Sequence, residues 1–309
     1  MKCGSVRFFK KLICFTVAGV ILLQMTLCIF LCIQNHKYRL QLQTPGNEEP
    51  DSEARLPGLL AAYAGTEESP AQPDGVDTSD MAAPSYQMLY PDMYCERPKA
   101  FTVSEGAAYL TFDDGPSERT PEVLAILKEY GVKATFFVVG KSDERSQAWM
   151  RQIVEEGHTL AIHTYSHDYR SIYTSVESYL RDFNDIYELV HEATGTYPTI
   201  FRFPGGSLNA YNQGIYEEII AEMLRRGFVY YDWDASTQDA ASKTTVQSLV
   251  DGALGGASGK SRCILLAHDS ADKGNTVAAL PQIIEGLAQM GYSFDRLTPE
   301  VQPVTFGYK

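Results

Sequence analysis

Four side chains in this sequence have the types and spacing to do chemistry together: the adjacent carboxylates Asp113 and Asp114, and His163 and His167 in His163-Thr-Tyr-Ser-His167. Four residues apart, two imidazoles lie on one face of a helical turn and can grip one divalent ion. One aspartate of the pair would supply a third ligand. Two histidines and one carboxylate leave coordination positions open for water, which suits a catalytic metal, zinc by preference. The neighbouring aspartate could then face the reacting water. The bland alternative for Asp113-Asp114 is a solvated turn ahead of Gly115-Pro116, but the pair follows an apolar strand directly. His36, His158 and His191 match no such pattern, and His158 reads as a surface residue.

These groups need a scaffold, and the chain after Lys99 supplies an alternating one. Strands are expected at 107–112, 134–139, 159–162, 199–203, 228–233, 262–267 and 292–295. Amphipathic helices fall between them, at 120–130, 146–156, 176–193, 211–226, 245–254 and 276–290. Thr120-Pro121-Glu122 opens the first helix as N-cap and N1 proline, and Gly131 closes it. Repeated strand–helix alternation points to a parallel sheet covered by helices, as a barrel or an open doubly wound sheet. In such folds functional groups gather at the C-terminal strand ends. Asp113 and Asp114, His163, Arg202, Asp234 and Asp239, and His268 and Asp269 all stand at such ends. No G-x-G-x-x-G or G-x-x-x-x-G-K follows a strand, so no nucleotide is expected.

Of 309 residues, 44% are hydrophobic and 21% charged, an ordinary globular composition. A formal charge of −13 argues against a nucleic-acid partner. Residues 1–37 hold five bases and no acid. Within them, Leu12–Ile33 is an uncharged apolar run of 22 residues, long enough to span a bilayer and too long for the apolar core of a cleaved signal peptide. Cations concentrated ahead of the run predict a single-pass anchor in the cell membrane, with a cytoplasmic N-terminus and everything after it extracellular. Residues 38–96, rich in proline and acids, read as an extended linker, and 97–309 as the catalytic domain. Four of the six cysteines lie in or beside the apolar run; Cys95 and Cys263 remain, with buried free thiols the favoured reading.

Taken in order, Thr111-Phe-Asp-Asp-Gly-Pro116, His163-x-x-x-His167, Arg202-Phe-Pro204-Gly-Gly206, Asp239 and Leu265-x-x-His268 resemble the motifs of the NodB-homology polysaccharide deacetylases, also called carbohydrate esterase family four. The resemblance covers about residues 97–296, and among family members the peptidoglycan N-acetylglucosamine deacetylases are the nearest in kind. It implies a distorted, incomplete (β/α)7 barrel. It also implies that Asp114, His163 and His167 bind a divalent metal, zinc or alternatively cobalt, nickel or manganese. Asp113 would then be the general base, held ionised by Arg202. The Pro204–Gly205 loop would offer a backbone N–H to the oxyanion. His268 would be the general acid, its pKa raised by Asp239, with Leu265 lining the acetyl pocket. Two features depart from the family pattern. Ala240 follows Asp239 where many members have tryptophan, which leaves Trp233 as the candidate apolar wall, and Gly205-Gly206 suggests a more open groove.

The function this implies is metal-dependent hydrolysis of N-acetyl groups on a cell-envelope glycan, with peptidoglycan amino sugars first. An O-acetyl esterase acting on xylan-like glycans and a catalytically silent glycan-binding domain are the rival expectations.

Overall fold

The computed structural model describes residues 83–307. The expected anchor and most of the expected linker lie outside the described residues. Among the described residues no helix is long and apolar enough to cross a membrane.

Eight strands form one parallel sheet: β1 Ala107–Asp113, β2 Thr135–Val139, β3 Thr159–Thr164, β4 Ile200–Phe201, β5 Val229–Tyr230, β6 Ala235–Ser236, β7 Cys263–His268 and β8 Ser293–Asp295. Their order is β5-β4-β3-β2-β1-β7-β6, with β8 beside β1. β7 runs along one side of β1. The other side is shared, β8 taking Ala107–Tyr109 and β2 taking Thr111–Asp113. β1 and β2 are buried along their whole length, as strands covered on both faces must be. The helices are α1 Thr120–Tyr130, α2 Glu144–Glu155, α3 Tyr169–Ile172, α4 Val176–Thr194, α5 Tyr216–Arg225, α6 Val246–Ala257 and α7 Gly274–Gln289.

The expected seven-stranded pattern needs one correction. Residues 228–233, read as a single strand, form only β5 before the chain crosses to the opposite edge of the sheet and makes β6, with no helix between. The crossing is held by polar contacts that no hydrophobic pattern reveals. Arg202 donates from Nε to the carbonyl of Tyr231 at 2.8 Å and from Nη2 to that of Asp232 at 3.1 Å. The C-terminal segment closes over the same stretch. The Tyr231 hydroxyl lies within hydrogen-bond reach of the carbonyls of Thr298 and Val301, which share its one proton, and the Asp232 N–H donates to that of Val304. The gap between the two sheet edges is therefore bridged by an arginine and a tail.

A second correction concerns the domain boundary expected at residue 97. Residues 84–95, assigned to the linker by composition, pack on α5. The Arg226 side chain is fully buried and donates to the carbonyls of Tyr86, Leu89, Tyr90 and Met93, while its Nε meets Glu222 at 2.6 Å. A planar fork of donors matches such a cluster of carbonyls as no other side chain can. Gly227 is required beside it, because a Cβ there would strike the carbonyl of Cys95. Cys95 and Cys263 are both free, and burial pushes each thiol up to about 12.

Candidate active site

Strand alternation decides which residues face the sheet interior. Register pairs Thr111 with Leu266 and Asp113 with His268, so these four share the interior face. Leu110 and Leu265 pair on the other face, where Leu265 borders a small apolar cavity with Leu280 and Ile283 of α7. The expected acetyl-pocket role of Leu265 is thus corrected: Leu266 is the leucine on the side of His268.

Asp113, at the end of β1, is only 3% exposed, which excludes the solvated-turn reading. Arg202 donates from Nη1 to its Oδ1 at 2.8 Å and to the Thr111 hydroxyl at 2.7 Å. The guanidinium lies 4.2 Å from the ring centre of Phe137 and 5.6 Å from that of Trp233. Burial drives the Asp113 carboxyl upward, and the charge and hydrogen bond of Arg202 work against it. Trp233 packs edge-on against Phe306 of the C-terminal segment, making a wall over the arginine.

Asp114 turns away from Asp113 because its backbone is left-handed, at φ 71°. Its Oδ1 stands 3.2 Å from Nε2 of His167 and 3.6 Å from Nε2 of His163. The two histidines do not converge from one helical face, as their spacing suggested. His163 lies one residue before the end of strand β3, and His167 sits in the following turn at φ 53°, its N–H held by the Thr164 hydroxyl. Two non-glycine residues in left-handed backbone cost about 1–3 kcal/mol each, a strain that concentrates at functional sites.

These three side chains fit a divalent cation. Their ligating atoms lie within 4.8 Å of one another. Asp114 Oδ1 is buried without a hydrogen-bond partner, a state that a cation would relieve. The Nδ1–H of His163 donates to the carbonyl of Arg202 at 2.8 Å, which leaves the Nε2 lone pair toward Asp114. Burial lowers the His163 pKa to about 3, so the ring is neutral, as a metal ligand must be.

Across the interior face, His268 donates from Nδ1 to Asp239 Oδ1 at 2.7 Å, and its backbone N–H binds Oδ2 at 2.8 Å. Thr276 and Lys273 complete the grip on Asp239, at the carboxylate and the carbonyl. Burial disfavours charge on His268, but the hydrogen bond and charge of Asp239, with Asp113 and Asp114 beyond, outweigh it and raise the pKa to about 9. This interior face of the sheet therefore presents a buried carboxylate, a triad whose geometry fits a divalent cation and a cationic imidazole.

Comparison with known proteins accounts for that combination. Residues 101–223 match the family model described as polysaccharide deacetylase. Over 209 residues the chain is 31% identical to a peptidoglycan-N-acetylglucosamine deacetylase of Bacillus cereus, a match covering 64% of this chain and 72% of that protein. The chain belongs to the polysaccharide deacetylase family. Among solved structures, the catalytic domain of a peptidoglycan N-acetylglucosamine deacetylase from Eubacterium rectale superposes with a TM-score of 0.64 at 33% identity, covering 68% of this chain and 96% of that one. The Xyl-CE4 domain of a multidomain xylanase from the hindgut metagenome of Trinervitermes trinervoides gives 0.53 at 34% identity, covering 63% and 88%.

Within this deacetylase, the remaining expected residues divide. Pro204 has no N–H and that of Gly206 binds the carbonyl of Phe203, which leaves Gly205 as the donor of the loop. The space beside Gly205 is not the open groove expected: a Cβ there would meet the ring of Tyr169 at 2.8 Å, and one at Gly206 would meet Phe306 at 2.7 Å. Asp234 lies away from the site, accepting from the N–H of Ile264. Asp269 turns behind Gly115 to take the Thr120 hydroxyl, and burial lifts its pKa to about 7. His158 is buried, not superficial, accepting from the N–H of Ala134.

Sequence reasoning missed Thr111 as a second contact of Arg202. It also missed Asp232, which is buried and binds Ser207 and the N–H of Phe306, tying the Gly205 loop to the tail. Apart from Thr111 lying inside the first motif, nothing in the linear pattern marks either residue.

Proposed function

We propose that this deacetylase removes N-acetyl groups from the amino sugars of peptidoglycan, releasing acetate and a free amine. The observation that carries the reading is the placing of Asp113 and His268 side by side in register, with the Asp114–His163–His167 triad beside Asp113. An amide needs a nucleophile, a site for the oxyanion and an acid for a poor leaving group. When bound at the triad, a divalent ion, zinc by preference, supplies Lewis-acid polarisation and lowers the pKa of water. Asp113, anchored through Oδ1 by Arg202, takes the proton of the attacking water at Oδ2. The Gly205 N–H faces the charge developing on the carbonyl oxygen, and Leu266 lines the acetyl group. His268, oriented and kept protonated by Asp239, gives its Nε2 proton to the departing nitrogen. Each protein residue that these steps require is in place, which disfavours a silent binding domain.

The substrate assignment is supported by the names of the relatives from Bacillus cereus and Eubacterium rectale. It is also supported by the apolar run at 12–33, which as a membrane anchor with a linker would hold the domain against the cell wall from outside. The likeness to a xylanase-associated domain supports a second reading, O-deacetylation of a xylan-like glycan by the same residues. Incubating the full chain, in mild detergent with zinc, with peptidoglycan and separately with acetylxylan decides between them. Acetate and new amines from peptidoglycan are expected; acetate from acetylxylan alone would overturn the N-deacetylase assignment.

A further inference from the structure

Beside the ligand histidines lies a set of aromatic rings to which the reaction as described gives no task. Tyr169 packs edge-on against His167 with ring centres 5.3 Å apart, and Tyr211 leans on Tyr169 at 5.1 Å. Tyr169 is half-buried between them, whereas Tyr211 is 54% exposed. One exposed tyrosine on a surface needs no explanation. This one stands two ring contacts from a metal ligand, and its backbone is pinned. The Tyr211 N–H binds Asn209 Oδ1 at 2.8 Å. Asn209 Nδ2 in turn holds the carbonyls of Pro204 and Gly206 at 3.1 and 3.0 Å. Tyr211 is thus fixed to the same loop that presents the Gly205 N–H, so ring and oxyanion donor keep a set spacing.

A flat, neutral ring with a hydroxyl at its edge suits a ligand that offers C–H groups on its face and hydroxyls around its rim. A pyranose is such a ligand. We infer that Tyr211, backed by Tyr169, is a stacking platform for the sugar ring next to the one that loses its acetyl group. It makes this enzyme select polymers over single sugars. The inference rests on the glycan reading above and names the residue that would sense chain length.

The test uses the full-length holoenzyme and its Tyr211→Ala and Tyr211→Phe variants, assayed on chitotetraose and on 4-nitrophenyl acetate, an ester too small to span both positions. For Tyr211→Ala, KM on chitotetraose should rise about tenfold, the scale of one lost ring contact, with kcat and ester hydrolysis unchanged. Tyr211→Phe, which keeps the ring, should behave as wild type. An unchanged KM for Tyr211→Ala, or an equal loss on both substrates, would overturn the platform. If wild type released no acetate from chitotetraose, the N-deacetylase reading would be judged by the peptidoglycan assay above, separately from the platform. Calorimetric binding of chitotetraose would then judge the platform: weaker binding by Tyr211→Ala supports it, whereas equal binding, or none by wild type, overturns it.

Discussion

Asp113→Asn should lower acetate release by about 10³-fold, near the middle of the range for losing a positioned general base, while bound zinc stays at the wild-type level. The substitution is nearly isosteric, so Arg202 can keep its 2.8 Å contact to Oδ1. It removes the basic lone pair that the water proton needs. The triad is untouched, because His163 and His167 are held by the carbonyl of Arg202 and the Thr164 hydroxyl, contacts that do not involve Asp113. Metal analysis beside the rate measurement therefore separates loss of the base from loss of the site. Near-wild-type acetate release would remove Asp113 from the base role.

Asp239→Asn should change the pH dependence as well as the rate. With Asp239 ionised, His268 has a pKa of about 9, so it is protonated across neutral pH and activity should fall only as pH rises through about 9. Burial opposes the charge of Asp239, but the His268 and Thr276 contacts more than offset it and hold the carboxyl below its ordinary range. Without that carboxylate, burial acts on His268 with less opposition and its pKa moves down. The alkaline limb of the kcat profile should shift to lower pH, and near pH 8 activity should fall by about 10²-fold or more, the usual contribution of a positioned acid. An unshifted limb would show that another group donates the proton.

How far the sequence led can be judged from particular residues. β1 and β7 were legible because both are buried apolar runs ending in acid or imidazole, and the register of Asp113 against His268 follows once they pair. The division of 228–233 between two sheet edges was not, since its cause is an arginine 26 or more positions earlier and a tail some 70 positions later. The helix expected from Tyr211 begins at Tyr216, because the side chains of Asn209 and Asn212 bind the backbone of the turn before it. Leu265 was misassigned by one position, the error to which a period of two is most exposed. The strap at 84–95 was hidden by its proline-rich setting, since four carbonyls gathered on Arg226 leave no trace in composition. The His163–His167 pair was found through a helical argument, yet the structure joins the two by a strand end and a left-handed turn.

The most direct test of the account is acetate release from N-acetylated glycan by the full chain, before and after chelation and again with zinc restored, run beside His163→Ala. Wild type should lose activity to the chelator and regain it with zinc, and His163→Ala should neither retain zinc nor recover. Acetate release indifferent to the chelator, or a His163→Ala variant with full zinc and full activity, would contradict the site described above.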